Sequence, residues 1–168
     1  SALMFCSSFD LGVAIQRMFT GVNSFPLMAI PFFMLAGSLM ELGGISKRII
    51  RFADTLVGHL TGGLAVAAII ACMIFASISG SAVATVAAIG GIIIPEMRAR
   101  NYPDGYSTAI VTAAGTMGPI IPPSTTFVIY ASIAGVSVSD MFLGGYIPGI
   151  LMGITLMIVA VIRAKNLG

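Results

Sequence analysis

Residues 62–97 form an apolar run of about 36 positions, which is too long for a single membrane-crossing helix even when that helix is tilted. Near its middle lies the polar patch Ser77-Ile78-Ser79-Gly80-Ser81, where glycine allows a sharp turn. The sequence therefore predicts two half-length helices that fold back on each other at Gly80. The run by itself does not distinguish a re-entrant hairpin from two full membrane crossings.

The charge content of the chain is far below that of a water-soluble protein. Charged residues make up 8% and apolar residues 58% of the 168 residues, and the mean hydropathy is +1.07. A soluble domain carries roughly 25% charged residues, so a chain of this composition would aggregate in water. We therefore predict an all-α membrane protein with several transmembrane helices.

Other segments also carry helix signals. Residues 1–20 are weakly amphipathic and too polar for a full span, whereas an apolar helix is predicted from Phe25 to Leu42. From Ile45 to Val57, apolar residues recur at helical spacing and basic residues face the other way, which is typical of a helix lying in the membrane interface. A last span is predicted from about Met141 to Ile162.

The basic residues predict which side of the membrane each loop occupies. Cytoplasmic loops carry an excess of Lys and Arg. If the hairpin returns to its own side and residues 106–162 cross twice, seven basic residues fall on one face and Arg17 falls on the other. The seven are Lys47, Arg48, Arg51, Arg98, Arg100, Arg163 and Lys165. Their face is predicted to be the cytoplasmic one.

Prolines interrupt a second long apolar segment, which runs from Tyr106 to about Gly135. Pro119, Pro122 and Pro123 remove three backbone donors and clash with preceding carbonyls. Carbonyls freed in a membrane need another partner, and a dehydrated hard cation binds backbone and hydroxyl oxygens without any charged side chain. The segment is therefore predicted to be a broken helix that presents carbonyls to a cation.

The two breaks together predict a transport site. Discontinuous membrane helices supply carbonyls to Na⁺ and helix N-termini to an anionic substrate in many transporters. Hydroxyls of Ser79 and Ser81 can join the cation, while the segment starting at Ser124-Thr125-Thr126 offers a positive N-terminus to a carboxylate.

Two alternatives stay open at this point. A single proline is usually only a kink, and a Gly/Ser patch is usually a close-packing contact, so a structural scaffold subunit without a Na⁺ site would carry the same motifs. A proton-coupled permease is the other alternative, but it would need a titratable group at the midplane of the membrane, and these segments offer none.

Other functional classes find little support. Cys6 and Cys72 lie in apolar surroundings without CxxC spacing, and His59 has no second His or Cys at ligand spacing. No Ser/His/Asp, Cys/His or paired-carboxylate arrangement indicates an enzyme. The net charge of +2 and the short basic clusters do not indicate binding to nucleic acid.

Several motifs resemble one family of bacterial transporters. The run Phe25-Pro26-Leu27-Met28-Ala29-Ile30-Pro31-Phe32-Phe33-Met34-Leu35-Ala36-Gly37 resembles the FPLLAIPLFLLAG segment in the large membrane subunit of tripartite ATP-independent periplasmic (TRAP) transporters. The similarity covers nearly the whole chain in the family's order and spacing. Its other motifs are Gly43-Gly44-Ile45, Gly58-His59-Leu60-Thr61-Gly62-Gly63, Ser79-Gly80-Ser81-Ala82-Val83-Ala84 and Gly118-Pro119-Ile120-Ile121-Pro122-Pro123-Ser124.

The resemblance implies half of an inverted-repeat, elevator-type transporter that imports a small carboxylate with Na⁺. Residues 1–60 would form a scaffold span and an interfacial arm helix, residues 61–135 the transport-domain part, and residues 136–168 the last span and a polar tail. Within the transport part, it favours a re-entrant hairpin at 62–97 and a broken helix at 106–135. The implied partners are a small membrane subunit, a periplasmic substrate-binding protein and the lipid bilayer of the bacterial inner membrane, which the chain would cross several times.

The resemblance also implies which residues form the site. The implied Na⁺ ligands are two hydroxyls and three backbone carbonyls: Ser79, Ser81, Gly118, Ile121 and Pro123. The implied substrate neighbours are Thr126 and, as further candidates, Ser81, Ser124 and Thr125.

The sequence departs from the family in two ways. Many members that take up sialic acid have an Asp where this chain has Thr85, which favours a C4-dicarboxylate or a sugar acid over sialic acid. The family's large subunit is more than twice as long as this chain. We therefore expect an N-terminal half without the opening span, which should not transport alone.

Overall fold

The structure is a computed structural model, and it describes residues 11–23 and 25–166. Those ranges contain eight α-helices and no strands, so the predicted all-α fold is confirmed for them. In chain order the helices are α1 (Leu11–Val22), α2 (Phe25–Leu42), α3 (Ile45–Val57), α4 (Gly63–Ser79), α5 (Ala82–Ala99), α6 (Asp104–Gly115), α7 (Thr125–Ala134) and α8 (Val138–Lys165).

Both predicted breaks are present. Helix α4 ends at Ser79 and α5 begins at Ala82, so the chain turns back at Gly80. The proline-rich segment separates α6, which ends at Gly115, from α7, which begins at Thr125. Helices α2 and α3 have their predicted bounds. Of the first segment, residues 1–10 lie outside the described residues, and the rest belongs largely to α1.

Two helices begin earlier than predicted. Their first turns contain polar residues, so a prediction from apolar segments placed the starts too late. Helix α6 begins at Asp104 rather than Tyr106, and α8 begins at Val138 rather than Met141. Asp104 and Asp140 lie in the first turns of these helices, where the helix dipole favours a carboxylate. The Ser137 side chain also accepts a 3.3 Å hydrogen bond from the Asp140 backbone N–H.

Helix α4 lies at the centre of the described residues. It packs against α2, α3, α5, α6 and α8. Four consecutive residues, which at 100° each point in all directions around this helix, are at most 5% exposed: Leu64, Ala65, Val66 and Ala67. A helix that is apolar on every side is stable only when neighbours cover all of it, so the rest of the fold is arranged around α4.

Two helices in the described ranges are long and apolar enough to cross a membrane, namely α5 and α8. Helices α4 and α7 are apolar but shorter. These lengths agree with a membrane protein. They fit a re-entrant hairpin and two crossings equally well, so that choice stays a prediction, as does the division at residues 60 and 135.

Ion pairs link the polar ends of three helices. Arg100, just after α5, contacts Asp54 of α3 at 3.3 Å and Glu96 of α5 at 2.9 Å. Arg98 contacts Asp104 at the start of α6 at 2.7 Å. All of these side chains are partly or largely exposed, so each pair contributes little to stability on its own. Their role is to hold the ends of α3, α5 and α6 in one layer.

A face of α8 lined by glycines packs against the proline-rich segment. A Cβ added to Gly145 would lie 2.7 Å from the Ile120 carbonyl oxygen and against the Phe127 ring. A Cβ added to Gly149 would lie 2.8 Å from Ile121 Cγ1. Glycine at these positions therefore lets α8 approach the break closely and cover one side of it.

Adjacent glycines of α8 provide a matched pair of variants. We expect Gly145→Ala to destabilise the protein by about 1–3 kcal/mol, because the new methyl group meets a backbone carbonyl that cannot turn away. Gly144→Ala meets nothing within 4 Å and should be neutral or stabilising by up to about 1 kcal/mol, because alanine is the better helix former. Thermal unfolding of the purified full-length protein measures both. Equal midpoints for the two variants would contradict the close approach of α8.

Candidate functional site

The turn between α4 and α5 lies against the start of α7. Gly80 adopts the left-handed conformation, with φ 60°. A Cβ added there would lie 3.1 Å from the Thr125 backbone nitrogen and 3.3 Å from the Pro123 carbonyl oxygen. The Thr125 hydroxyl donates a 3.3 Å hydrogen bond to the Gly80 carbonyl oxygen. The hairpin tip, defined as residues 79–81, is therefore seated on the proline-rich break.

A second close approach joins the hairpin tip to the first half of the broken helix. A Cβ added to Gly118 would lie 2.8 Å from the carbonyl carbon of Ser81 and 2.9 Å from the backbone nitrogen of Ala82. Only a residue without a side chain fits between these two backbones. The structure thus brings together Ser79, Ser81, Gly118 and Pro123, four of the five residues implied as Na⁺ ligands.

Hydroxyl groups form a small network at the hairpin tip. The Thr85 hydroxyl, which is fully buried, donates a 2.7 Å hydrogen bond to the Ser81 carbonyl oxygen. It also lies 3.1 Å from the Ser79 hydroxyl. With the Thr85 proton used on Ser81, the Ser79 hydroxyl donates either in this second bond or in a longer bond of 3.5 Å to the Ser81 carbonyl oxygen.

The direction of these bonds decides what the Ser79 oxygen can still do. Its proton is shared between Thr85 and the Ser81 carbonyl oxygen as acceptors, and it accepts one long bond of 3.4 Å from the Ser81 backbone N–H. One lone pair therefore stays available, and the hydroxyl can act only as an acceptor or a metal ligand. The Ser81 hydroxyl accepts a 3.4 Å bond from the Ala84 N–H and caps α5.

The break carries several backbone carbonyls without donors. In residues 11–23 and 25–166, no hydrogen bond reaches the carbonyl oxygens of Gly118, Ile121 or Pro123. The carbonyls of Ile120 and Pro122 also accept none, although Gly145 of α8 covers Ile120. Unpaired carbonyls in an apolar setting are costly unless water or an ion satisfies them. The three implied carbonyl ligands are thus free to bind a cation.

Ends of four helices converge at this point. Helices α4 and α6 end here, and their last carbonyls carry partial negative charge. Helices α5 and α7 begin here after Ser81 and Ser124, which both have extended backbones. In the described part of the chain, the first three N–H groups of α7 donate to no acceptor. The arrangement therefore offers oxygens to a cation and N–H groups to an anion.

The remaining predicted residues have different surroundings. Ser124 is buried, and its hydroxyl donates a 2.7 Å bond to the Pro119 carbonyl oxygen, so its side chain closes the break internally. Thr125 is half-buried beside Gly80, whereas Thr126 is exposed on α7. The side chain of Ile121 packs toward Gly149 of α8, which leaves only its backbone to face the site. In the described residues, no hydrogen bond joins Thr126 or Ile121 to Ser79 or Ser81.

Neutral oxygens make up this cluster, and none of its side chains titrates. Among the residues that the structure describes, no group of three or more His, Cys, Asp or Glu could hold a metal ion. A site built from hydroxyls and carbonyls suits a monovalent or weakly bound hard cation better than a transition metal, which prefers imidazole and thiolate ligands.

Sequence reasoning missed Thr85 as a member of the site. It considered this residue only as a departure from a family pattern, although a Thr four positions after Ser81 can bond back to the Ser81 carbonyl oxygen. It also missed that α2 supports the tip, where a Cβ on Gly37 would lie 3.6 Å from Ser79 Cα. The i, i+4 spacing was the available signal for Thr85, and no local signal existed for Gly37.

The protein class that this arrangement indicates is a membrane transporter, since broken helices that meet in this way recur in transporter folds. The chain belongs to the family described as DctM, the DctM component of the tripartite ATP-independent periplasmic transporter. The model of this family matches residues 1–168. The resemblance stated from the motifs is therefore confirmed.

Relatives from several bacteria support this assignment. The chain is 48% identical over 158 residues to a putative TRAP transporter large permease protein of Haemophilus influenzae, covering 94% of this chain and 39% of that protein. It is 46% identical over 159 residues to the 2,3-diketo-L-gulonate TRAP transporter large permease protein YiaN of Escherichia coli, covering 94% and 37%. It is 47% identical over 149 residues to the C4-dicarboxylate TRAP transporter large permease protein DctM of Pseudomonas aeruginosa, covering 89% and 35%.

Two facts follow from these relatives. They are named as transporter permeases, which are not enzymes, and this agrees with the sequence prediction. The chain spans less than two fifths of the length of each of them.

Proposed function

We propose that this chain supplies one half of the ion and substrate site in a Na⁺-coupled importer of small carboxylates. The observation that carries the proposal is the seating of the hairpin tip on the proline-rich break, where Gly80 meets Thr125 and Gly118 meets Ser81. Two breaks that served only to bend helices would not need to meet backbone to backbone.

The cation side of the site would use neutral oxygens. The Ser79 hydroxyl has a lone pair to spare, and the carbonyls of Gly118, Ile121 and Pro123 accept no hydrogen bond in the described residues. Na⁺ binds oxygen ligands of this kind at the ends of broken helices in other transporters. A proton-coupled mechanism finds no titratable group in this cluster.

The substrate side would use the start of α7. Its free N–H groups and the Thr125 hydroxyl lie beside the hairpin tip, and a helix N-terminus attracts a carboxylate. Relatives are named for C4-dicarboxylate and for 2,3-diketo-L-gulonate, both carboxylates. Together with Thr85 at the hairpin, these names favour a C4-dicarboxylate or a sugar acid as the substrate.

The proposed assembly contains more than this chain. The substrate would arrive on a periplasmic binding protein, and a small membrane subunit would support the large one in the bacterial inner membrane. The remainder of the large subunit would complete the substrate pocket and an elevator-type movement would carry it across the membrane. Membership of the DctM family supports this part of the proposal.

Uptake in proteoliposomes tests the function. The full-length complex would be reconstituted with its binding protein outside and an inward Na⁺ gradient, and uptake of labelled succinate and sialic acid would be followed. We expect uptake to require both the binding protein and Na⁺, and to favour succinate. Uptake that persists when K⁺ replaces Na⁺ would refute the cation site.

One substitution separates a ligand from a packing role for Ser81. We expect Ser81→Ala to lower the apparent Na⁺ affinity in uptake by at least about tenfold, which is the usual cost of losing a group that supports a metal site. Loss of the α5 cap would also cost about 1 kcal/mol in stability. Ser77→Ala is the matched control, because the Ser77 hydroxyl bonds within its own helix to the Ile74 carbonyl oxygen. An unchanged Na⁺ dependence in Ser81→Ala would leave only a packing role.

A further inference from the structure

Helix α3 divides its surface among three different environments. Its core side carries Ser46, Ile50 and Ala53, which are all buried against the rest of the fold. The next side carries Phe52 and Leu56, which are 58% and 52% exposed. At 100° per residue, these two lie one turn apart and form an uncovered apolar strip along the helix.

The third side of α3 is basic, and its cations form no ion pair with the acids that the structure describes. Lys47, Arg48 and Arg51 are all exposed, and none makes an ion pair within the described residues. Lys47 and Arg51 stand four positions apart, a spacing at which like charges destabilise a helix. Asp54, the acidic residue of α3, stands one turn after Arg51 but forms its ion pair with Arg100. This side of the helix therefore presents three cations that no acid in the described residues pairs.

The basic side and the apolar strip adjoin each other. Arg48 precedes Phe52 by one helical turn, so a cation lies directly beside an exposed aromatic side chain. A soluble anion such as inorganic phosphate would use only the basic side. An amphiphile with an anionic head and an acyl chain would use both sides at once, as basic amphipathic helices do at membrane surfaces.

We infer that α3 binds anionic phospholipids of the membrane, with head-group phosphates on Lys47, Arg48 and Arg51 and acyl chains against Phe52 and Leu56. The binding anchors α3 at the membrane surface. The ion pair between Asp54 and Arg100 connects α3 to the end of α5, so that end is anchored as well. It does not depend on the proposed transport activity, because no residue of the hairpin tip takes part.

Lipid binding by the full-length complex tests the inference. The complex would be purified in a neutral detergent and titrated with fluorescent phosphatidylglycerol or phosphatidylcholine of the same acyl chains. We expect wild type to prefer phosphatidylglycerol. In the variant K47Q/R48Q/R51Q this preference should be at least about tenfold smaller, because each basic residue near an anionic surface raises the affinity for it about fivefold. Inorganic phosphate is not expected to compete.

Two further variants keep the test specific. R163Q/K165Q removes two basic residues at the end of α8 and should retain the preference. Phe52→Ser combined with Leu56→Ser should weaken the binding of both lipids by a similar factor and leave the ratio of their affinities unchanged. The inference fails if K47Q/R48Q/R51Q keeps its preference, if R163Q/K165Q loses as much, or if a photocrosslinker at position 52 labels another protein subunit instead of lipid. Unchanged helix content and thermal midpoints confirm that the variants are folded.

Discussion

Gly118→Ala is expected to abolish Na⁺-dependent uptake by the full-length complex. The new methyl group would lie 2.8 Å from the Ser81 carbonyl carbon and 2.9 Å from the Ala82 nitrogen, and both belong to backbone that has no other position to adopt. Overpacking of this kind costs up to about 3 kcal/mol. If this whole cost falls on the arrangement in which the hairpin tip lies on the break, uptake should fall by about a hundredfold. Uptake rates and Na⁺ affinity, measured in proteoliposomes, report the effect.

The matched control is Gly91→Ala in the same hairpin. A Cβ on Gly91 meets nothing within 4 Å, so this variant should transport normally. Full Na⁺-dependent uptake by Gly118→Ala would mean that the hairpin tip does not have to sit on the break. A large loss of folded protein, seen as a lowered thermal midpoint without Na⁺, would instead assign Gly118 to folding.

Thr85→Val is expected to weaken Na⁺ binding with little change in shape. Valine fills the same volume, but the Ser79 hydroxyl loses the nearer of its two acceptors and the Ser81 carbonyl oxygen loses its shortest donor in a fully buried place. A buried polar group without its partner costs about 1–3 kcal/mol, so the apparent Na⁺ affinity should fall by roughly 10- to 100-fold. Na⁺ titration of uptake at a saturating substrate concentration measures this change.

Thr85→Ser distinguishes the hydroxyl from the methyl group. It keeps both hydrogen bonds and removes a buried methyl, so stability should fall by about 1 kcal/mol while Na⁺ affinity stays near wild type. If valine and serine lowered Na⁺ affinity equally, Thr85 would act through packing and the network with Ser79 would be irrelevant to the ion.

Features that depend on local backbone chemistry could be predicted from the sequence. Glycine at position 80 and the three prolines after Gly118 prevent a continuous helix wherever they occur, so the hairpin turn and the break were located to within a few residues. The start of α8 was placed late because a hydropathy pattern ignores Asp140, whereas capping by Ser137 includes it in the helix.

Features that depend on distant pairing could not be predicted. The contact between Gly80 and Thr125 joins residues 45 positions apart, and periodicity does not reveal which break meets which. The role of Thr85 was overlooked for a related reason, because its hydroxyl contacts the Ser79 hydroxyl only after the turn brings the two together. Only the folded structure shows that the Ser124 hydroxyl donates its hydrogen bond to the Pro119 carbonyl oxygen.

The composition of α4 has a mechanical consequence. Ala65, Ala67, Ala68 and Ala71 have no exposed surface, so a helix with a low-relief surface separates α2 and α3 from α6 and α8, whereas α5 contacts α3 directly. Large side chains interlock as ridges in grooves and resist sliding, whereas alanine forms only shallow ridges. Shear between the two groups of helices would cross low steric barriers along most of α4. Phe75, near the end of α4 that carries the hairpin tip, is a large buried side chain that would have to repack during such a movement.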